Sequence, residues 1–196
     1  MKIAMPAAVL AGGASRRMGR EKAALPYGAG TLAEHQTARL AGVFREVWFV
    51  AKTPPAYAFG DARLLLDETP ETAAAHGLHR VLTEGAERVF VLAVDLPALS
   101  RDVASEIGRL ALESDDPALV PEAGGLLQPL AAVWTRRALP ELERRIARGE
   151  LSLHGLARAV GARILPESEW RRIDPSGNSF LNVNTLEEYA VLRERA

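Results

Sequence analysis

Glycines and cations follow a short apolar run near the start of the chain, in the order expected of a phosphate-binding loop. The run ends at Leu10, and Gly12 and Gly13 interrupt it. Four cations follow the glycines before position 23, namely Arg16, Arg17, Arg20 and Lys22. Glycine lets backbone N–H groups approach an anion closely, and arginine and lysine neutralise phosphate charge. The stretch 8–22 therefore predicts a phosphate-binding loop after a buried strand, in preference to a turn with solvated arginines.

Two common nucleotide motifs are absent from this loop. A P-loop requires lysine and a hydroxyl residue after its last glycine, but Gly19 is followed by Arg20 and Glu21. The G-x-G-x-x-G pattern of dinucleotide-binding domains does not occur either. The loop therefore belongs to a different strand–loop architecture.

Two aspartates come directly after apolar runs. Asp67 follows the run 62–66, and Asp95 follows the run 88–94 and precedes Pro97. Each alone could equally cap a turn. Mg²⁺, however, prefers one or two carboxylates together with substrate phosphates. Next to a phosphate loop, Asp95 is therefore predicted to hold Mg²⁺, with Asp67 contributing to the same site.

His76 and His79 lie three positions apart on a predicted helix and could share a metal ion. No third ligand is evident, so we expect them to hold none. No serine stands in a G-x-S-x-G context, so the sequence does not indicate a hydrolase triad.

Strands that alternate with helices over the first 115 residues predict an α/β fold with a mostly parallel sheet. Ligands of such sheets bind outside the carboxyl ends of the strands, where the glycines and both aspartates fall. We expect one domain over residues 1–196. The predicted strands are 4–10, 46–51, 62–66, 88–94, 118–120, 130–135 and 162–165. The predicted helices are 32–40, 72–83, 101–112, 139–147, 153–160 and a terminal helix capped by Thr185.

Composition narrows the classes of partner. A formal net charge of −1 argues against a general nucleic-acid binder, and the lack of cysteine excludes disulfides and thiolate metal sites. No stretch is long and apolar enough to predict a membrane span. Pro6 and two glycines interrupt the apolar N-terminal run, which argues against a secretion signal, so we expect a cytoplasmic protein.

The motifs together resemble those of the molybdenum cofactor guanylyltransferases, the MobA-like nucleotidyltransferases. Residues 10–22 are similar to the family signature L-A-G-G-x-S-x-R-M-G-x-D-K, with Glu21 for the usual aspartate. Residues 95–97 resemble its D-x-P metal motif. Residues 182–188 resemble its N-x-N-T-P-E-[DE] ending, with Leu186 for the usual proline. The resemblance implies a three-layer, Rossmann-like nucleotidyltransferase fold.

The resemblance also implies an activity and a set of site residues. The reaction would transfer GMP from GTP to the terminal phosphate of molybdopterin with Mg²⁺, releasing pyrophosphate. Other proteins of molybdenum cofactor biosynthesis are expected as partners. The residues implied to bind the nucleotide are Leu10, Ala11, Gly12, Gly13, Lys22, Asp67 and Asp95. The residues implied to act in catalysis are Arg17, Lys22 and Asp95, with Asp95 as the metal ligand, and those implied to face the acceptor are Gln128, Asn182 and Asn184.

Two departures from the family pattern leave the choice of base open. The family opens the helix after its third strand with G-P-L-A-G, and residues 69–73 are the expected equivalent here, keeping only the proline. An asparagine near the end of the second strand is replaced by Val50 or a neighbour. A cytidylyl- or sugar-1-phosphate nucleotidyltransferase is therefore one alternative. A non-catalytic nucleotide-binding regulator is the other.

Overall fold

A mostly parallel sheet of eight strands forms the middle layer of the protein. The computed structural model describes residues 2–11, 21–183 and 189. The sheet order is β10-β7-β9-β6-β1-β4-β5, and β8 pairs with β7. The strands are β1 Ile3–Leu10, β2 Pro26–Tyr27, β3 Gly30–Thr31, β4 Phe44–Ala51, β5 Arg63–Leu66, β6 Arg88–Ala93, β7 Ala118–Ala123, β8 Leu126–Leu127, β9 Ala131–Thr135 and β10 Arg163–Leu165. Strand β9 runs antiparallel between β6 and β7, and β2 and β3 form a separate two-stranded sheet.

Helices cover both faces of the sheet, so the expected α/β fold is confirmed. They are α1 Leu32–Ala41, α2 Ala74–Leu82, α3 Arg101–Leu112, α4 Leu139–Ala147, α5 Leu153–Ala159 and α6 Glu167–Trp170. Successive side chains of β1 point to opposite faces, because a strand has a period of two. Ala7 and Val9 join the core that α1 and α3 cover, and Ala8 and Leu10 join the core beneath α2, α4 and α5.

The chain reverses its direction across the sheet at β1, with β4 on one side and β6 on the other. In an open α/β sheet, ligands bind at such a reversal, beyond the carboxyl ends of the strands. The Thr31 side chain accepts a hydrogen bond from the Glu34 backbone N–H, and the Glu34 side chain accepts one from the Thr31 N–H. This capping box confirms the predicted start of α1.

Pro6 lies inside β1, which begins at Ile3. The register with β4 shifts between Ile3 and Pro6, so the strand continues past a residue that cannot donate a ladder hydrogen bond. Several other boundaries also differ from prediction. Helix α2 begins at Ala74, two residues later than predicted, β4 begins at Phe44, two residues earlier, and β7 continues to Ala123. Residues 178–180 form a 3₁₀ turn. The terminal helix predicted after Thr185 lies outside the described residues.

Candidate active site

The carboxyl ends of four parallel strands meet at one edge of the sheet. Strand β1 ends at Leu10, which lies opposite Val50 of β4 and Ala93 of β6. Ala51 of β4 lies opposite Leu66 of β5. The residues that follow these strands therefore lie together at this edge, although the sequence separates them widely.

Lys22 and Asp95 form an ion pair at this edge. Lys22 begins a short 3₁₀ turn after the predicted phosphate loop, and its Nζ lies 3.2 Å from Oδ2 of Asp95. The side chains are 17% and 28% exposed, so a ligand can reach both. The structure thus joins the first motif to the D-x-P motif, and it places a carboxylate and a cation side by side at this edge.

Helix α1 holds the backbone of the turn that carries Asp95. Three of its side chains, from two adjacent residues and one residue a turn further along the helix, reach carbonyl groups between positions 94 and 99. The pairs are His35 with Pro97, Gln36 Nε2 with Val94 at 3.5 Å, and Arg39 with Leu99. The Val183 N–H donates to the Asp95 carbonyl over 2.9 Å, so the C-terminal segment supports the same turn.

His35 is neutral in this network. Its Nε2 lies 2.7 Å from a guanidinium nitrogen of Arg39, which can only donate, so Nε2 must accept and the other ring nitrogen donates to Pro97. Burial, together with the positive charge of Arg39, lowers the pKa of His35 to about 4. The helix therefore holds the Asp95 turn through a histidine that stays uncharged at neutral pH.

Asp67, at the end of β5, is paired with Lys52, at the end of β4. Lys52 Nζ lies 2.7 Å from Asp67 Oδ2, and the Asp67 side chain is only 6% exposed. Oδ1 of Asp67 accepts hydrogen bonds from the Thr69 hydroxyl at 2.6 Å and the Thr69 N–H at 3.2 Å. Burial alone would raise the pKa of Asp67, but the bonds from Lys52 and Thr69 outweigh it and lower the pKa. Asp67 is therefore a fixed carboxylate.

A narrow apolar slot lies between the ends of β1 and β4 and the start of α2. Its cavity volume is about 10 Å³, enough for about one water molecule. A Cβ added to Gly77 would lie 3.3 Å from a methyl carbon of Leu10, so glycine allows this close approach. The slot is lined by Leu10, Val50, Ala51, Lys52, Asp67, Thr72, Ala73, Ala74 and Gly77.

The structure corrects which residues open helix α2. They are 73–77 and not 69–73, because residues 69–73 form the connection that Lys52 holds. Ala73 is the N-cap and makes no side-chain capping bond. The segment 73–77 keeps the final glycine of the family pattern, whereas residues 69–73 would keep only its proline.

The segments expected to face the acceptor flank Asp95. Gln128 is half-buried, and the chain after it brings the Leu130 carbonyl to the Ala93 N–H at the end of β6, at 2.8 Å. Asn182 is exposed, next to Val183, which bonds to the Asp95 carbonyl. Gln128 therefore belongs to a segment that meets the end of β6, and Asn182 to a segment that meets the Asp95 backbone.

Several sequence-based site residues lie outside the described residues, namely Gly12, Gly13, Arg17 and Asn184. Leu10 and Ala11 are buried at the end of β1, and the Ala11 N–H donates to the Val50 carbonyl over 2.9 Å. Sequence reasoning missed Lys52. The signal was present, because a lysine directly after an apolar strand stands in the same relation to the sheet edge as the two aspartates.

His76 and His79 do not face a common ligand. His76 Nε2 lies 3.4 Å from Glu71 Oε2, and His79 Nε2 lies 3.3 Å from Glu143 Oε1. Within the described ranges, no cluster of three or more histidine, aspartate or glutamate side chains is arranged to hold a metal ion. None of the helices described in residues 2–11, 21–183 and 189 is long and apolar enough to cross a membrane.

Comparisons with known proteins agree with this geometry. A probable molybdenum cofactor guanylyltransferase from Mycobacterium avium is 32% identical over 95% of this chain and 93% of its own length. The molybdenum cofactor guanylyltransferase of Desulfosudis oleivorans is 31% identical over 92% of this chain and 90% of its own. The crystal structure of molybdopterin-guanine dinucleotide biosynthesis protein A from Archaeoglobus fulgidus has the same fold, with a TM-score of 0.85, 24% identity, and coverage of 97% of this chain and 98% of that one.

The family model described as the MobA-like NTP transferase domain matches residues 7–164. This range contains all four strand ends of the candidate site together with Lys22, Lys52, Asp67 and Asp95. The first and second motifs identified in the sequence thus fall inside the matched domain, and they meet in space. The chain belongs to the MobA-like NTP transferase family and is a nucleotidyltransferase.

Proposed function

We propose that this chain, as one domain, transfers GMP from GTP to the terminal phosphate of molybdopterin and releases pyrophosphate. The observation that carries the proposal is the contact between Lys22 and Asp95, 73 positions apart and 3.2 Å from each other. It joins the end of the phosphate loop to the carboxylate of the D-x-P motif at the edge where α/β sheets bind ligands. The choice of molybdopterin as acceptor and GTP as nucleotide follows from the relatives, which are molybdenum cofactor guanylyltransferases.

The proposed reaction makes little demand for proton transfer. The acceptor phosphate is already ionised at neutral pH, so attack on the α-phosphate needs no general base. The obstacle is the approach of one anion to another, and positioning and charge neutralisation overcome it. In this proposal Lys22 and Arg17 hold the phosphates of GTP, and the backbone of residues 10–13 holds the rest of the nucleotide.

The site chemistry fits a Mg²⁺ ion held by Asp95. Mg²⁺ keeps several waters and takes one or two carboxylates plus substrate phosphates, and Asp95 offers one partly exposed carboxylate. Asp67 is a poor second ligand, because Lys52 and Thr69 already occupy its oxygens. Bound there, the metal would neutralise charge on the α-phosphate and the leaving pyrophosphate. Lys22 would then exchange Asp95 for a phosphate oxygen.

The acceptor is proposed to lie on the β6 side of Asp95. Gln128 and Asn182 flank the turn there, and Asn184 follows two residues after Asn182. Amide side chains can donate to phosphate and accept from the N–H groups of a pterin. This arrangement leaves the nucleotide on the opposite side, over β1 and β4. We place the reaction in the cytoplasm, with other proteins of cofactor biosynthesis as sources of the acceptor.

The direct test is pyrophosphate release from purified protein with molybdopterin, Mg²⁺ and each of GTP, CTP, UTP and ATP in turn. We expect release with GTP and little with the other three. Release with CTP instead would make the chain a cytidylyltransferase. Nucleotide binding without release from any of the four would make it a regulator. Asp95→Ala is the control, because it should abolish Mg²⁺-dependent release in folded protein.

A further inference from the structure

Lys52 holds the connection between β5 and α2 through an unusually complete set of contacts. Its ammonium lies 2.7 Å from Asp67 Oδ2, 2.9 Å from the Thr69 carbonyl, 2.8 Å from the Thr69 hydroxyl and 2.5 Å from the Glu71 carbonyl. An ammonium has three N–H donors, so these acceptors use all of them. Lys52 therefore fixes the position of this connection and is not itself available to a ligand.

The same contacts determine how many hydrogen bonds the Asp67 carboxylate can still accept. A carboxylate offers roughly four acceptor positions. Thr69 uses two on Oδ1 and Lys52 uses one on Oδ2, so about one remains, on Oδ2. Lys52 also keeps this buried group ionised, since a buried carboxyl without a cation would tend to take up a proton. Asp67 can thus accept a hydrogen bond from a ligand but cannot donate one.

The slot beside Asp67 has the chemistry of a base-binding site. Its charged side chains are Asp67 and Lys52, Thr72 adds a hydroxyl, and the other walls are apolar, from Leu10, Val50, Ala51 and residues 73–77. Flat apolar walls with a few fixed polar groups suit a planar ring that is recognised along one edge. The cavity of about 10 Å³ is smaller than a ring, so the slot must widen when a base binds.

An acceptor-only group at this edge discriminates among the four bases. Guanine presents two adjacent donors, N1–H and N2–H. Adenine and cytosine each place an amino group next to a ring nitrogen that accepts, and uracil places its single N–H between two carbonyls. Only guanine avoids bringing an acceptor against the carboxylate, and a mismatch of this kind leaves buried polar groups unpaired.

We propose that Lys52 is a positioning residue for base selection, which holds Asp67 so that its remaining acceptor position, on Oδ2, receives the N2–H of guanine while N1–H lies beside the same carboxylate. The inference rests on the proposed function. It assigns a role to a residue that none of the sequence motifs contains.

The test compares binding of Mg²⁺·GTP and Mg²⁺·ITP, because inosine lacks only the 2-amino group of guanine. Dissociation constants are measured by calorimetry for the unaltered protein, Lys52→Met, Lys52→Arg and the control Lys2→Met. Lys2 precedes β1 and so lies at the opposite edge of the sheet. We expect GTP to bind about tenfold or more tightly than ITP to the unaltered protein and to Lys2→Met, as befits a hydrogen bond to a charged group. The preference should fall below about threefold in Lys52→Met.

Lys52→Arg provides the rescue, because it restores a cation but not the same reach, and an intermediate preference is expected. A Lys52→Met protein that keeps the full preference for GTP over ITP would overturn the inference. So would equal binding of GTP and ITP to the unaltered protein, even if nucleotidyl transfer stands. Failure to bind any nucleoside triphosphate with Mg²⁺ would instead overturn the proposed function and this inference together. If Lys52→Met does not fold, the comparison of Lys52→Arg with the unaltered protein decides.

Discussion

Lys22 and Asp95 carry the chemical argument at the scale of single residues. Their ion pair brings a cation and a carboxylate together at this edge of the sheet. In the proposed function, Lys22 releases Asp95 and holds a phosphate of GTP instead. The pair therefore couples the first motif to the second.

Replacement of Lys22 by methionine keeps the length of the side chain and removes its charge. We expect kcat/KM for GTP to fall about 10- to 100-fold, because a hydrogen bond to a charged group contributes about 1.5–3 kcal/mol. Steady-state kinetics measure the change, with Lys2→Met as the matched control. An unchanged kcat/KM in Lys22→Met would remove this residue from the phosphate site.

The sequence predicts the individual residues of this site better than their contacts. Asp67 and Asp95 were found because each follows an apolar strand. Lys52 obeys the same rule, but its ion pair with Asp67 depends on the pairing of β4 with β5, which the sequence does not specify. The proposed base selection therefore depends on the proximity of the ends of β4 and β5, which only the fold reveals.

At the scale of elements, helix α1 supports the turn that carries Asp95. Its capping box was readable from Thr31 and Glu34, which are neighbours in sequence. Its hold on the turn 94–99 was not, because the partners of Gln36 and Arg39 lie about 60 positions away. Periodicity located the helix, but only the fold shows which of its polar side chains serve the site.

This support predicts a pH dependence of stability. The pKa of His35 is depressed from 6.5 to about 4 in the folded protein, so the unfolded chain binds a proton more readily. The contribution is complete above pH 6.5 and is lost as the pH falls towards 4. After allowance for partial exposure, we expect a loss of about 1–3 kcal/mol over this range.

Urea denaturation at a series of pH values measures the effect. His35→Gln should flatten the profile between pH 6.5 and 4, because glutamine does not titrate there. The lowered pKa of Asp67 acts in the same direction but only below its ordinary value of 3.8, so it does not interfere in this window. Identical slopes in His35→Gln and the unaltered protein would show that His35 does not contribute.

At the scale of the whole molecule, the residues that stabilise the fold and those of the candidate site lie in different places. Two apolar cores lie on opposite faces of the sheet, and the site residues lie at one edge, where the strands end. The alternation of strands and helices was enough to predict this layered arrangement. The position of β9 could not be predicted in the same way. It lies antiparallel between β6 and β7, although it follows both of them in the sequence.

The separation predicts opposite results from two substitutions. Trp134 is fully buried, and its indole N–H donates to the Pro129 carbonyl over 2.9 Å. Trp134→Ala should lower the free energy of unfolding by about 3–5 kcal/mol through the cavity it leaves. Asp95→Ala should change that free energy by less than about 1 kcal/mol while abolishing turnover, because its ion pair is partly exposed. Denaturation of both variants tests this, and a large loss of stability in Asp95→Ala would contradict it.

The central claim is that this edge of the sheet transfers a nucleotidyl group and not a phosphoryl group. The most direct measurement follows the label from GTP carrying ³²P at the α- or the γ-phosphate, incubated with the protein, Mg²⁺ and molybdopterin. The account predicts that α-label enters the pterin product and γ-label appears in pyrophosphate. Label from the γ-position in the product, or α-label left entirely in GTP or GDP, would contradict it.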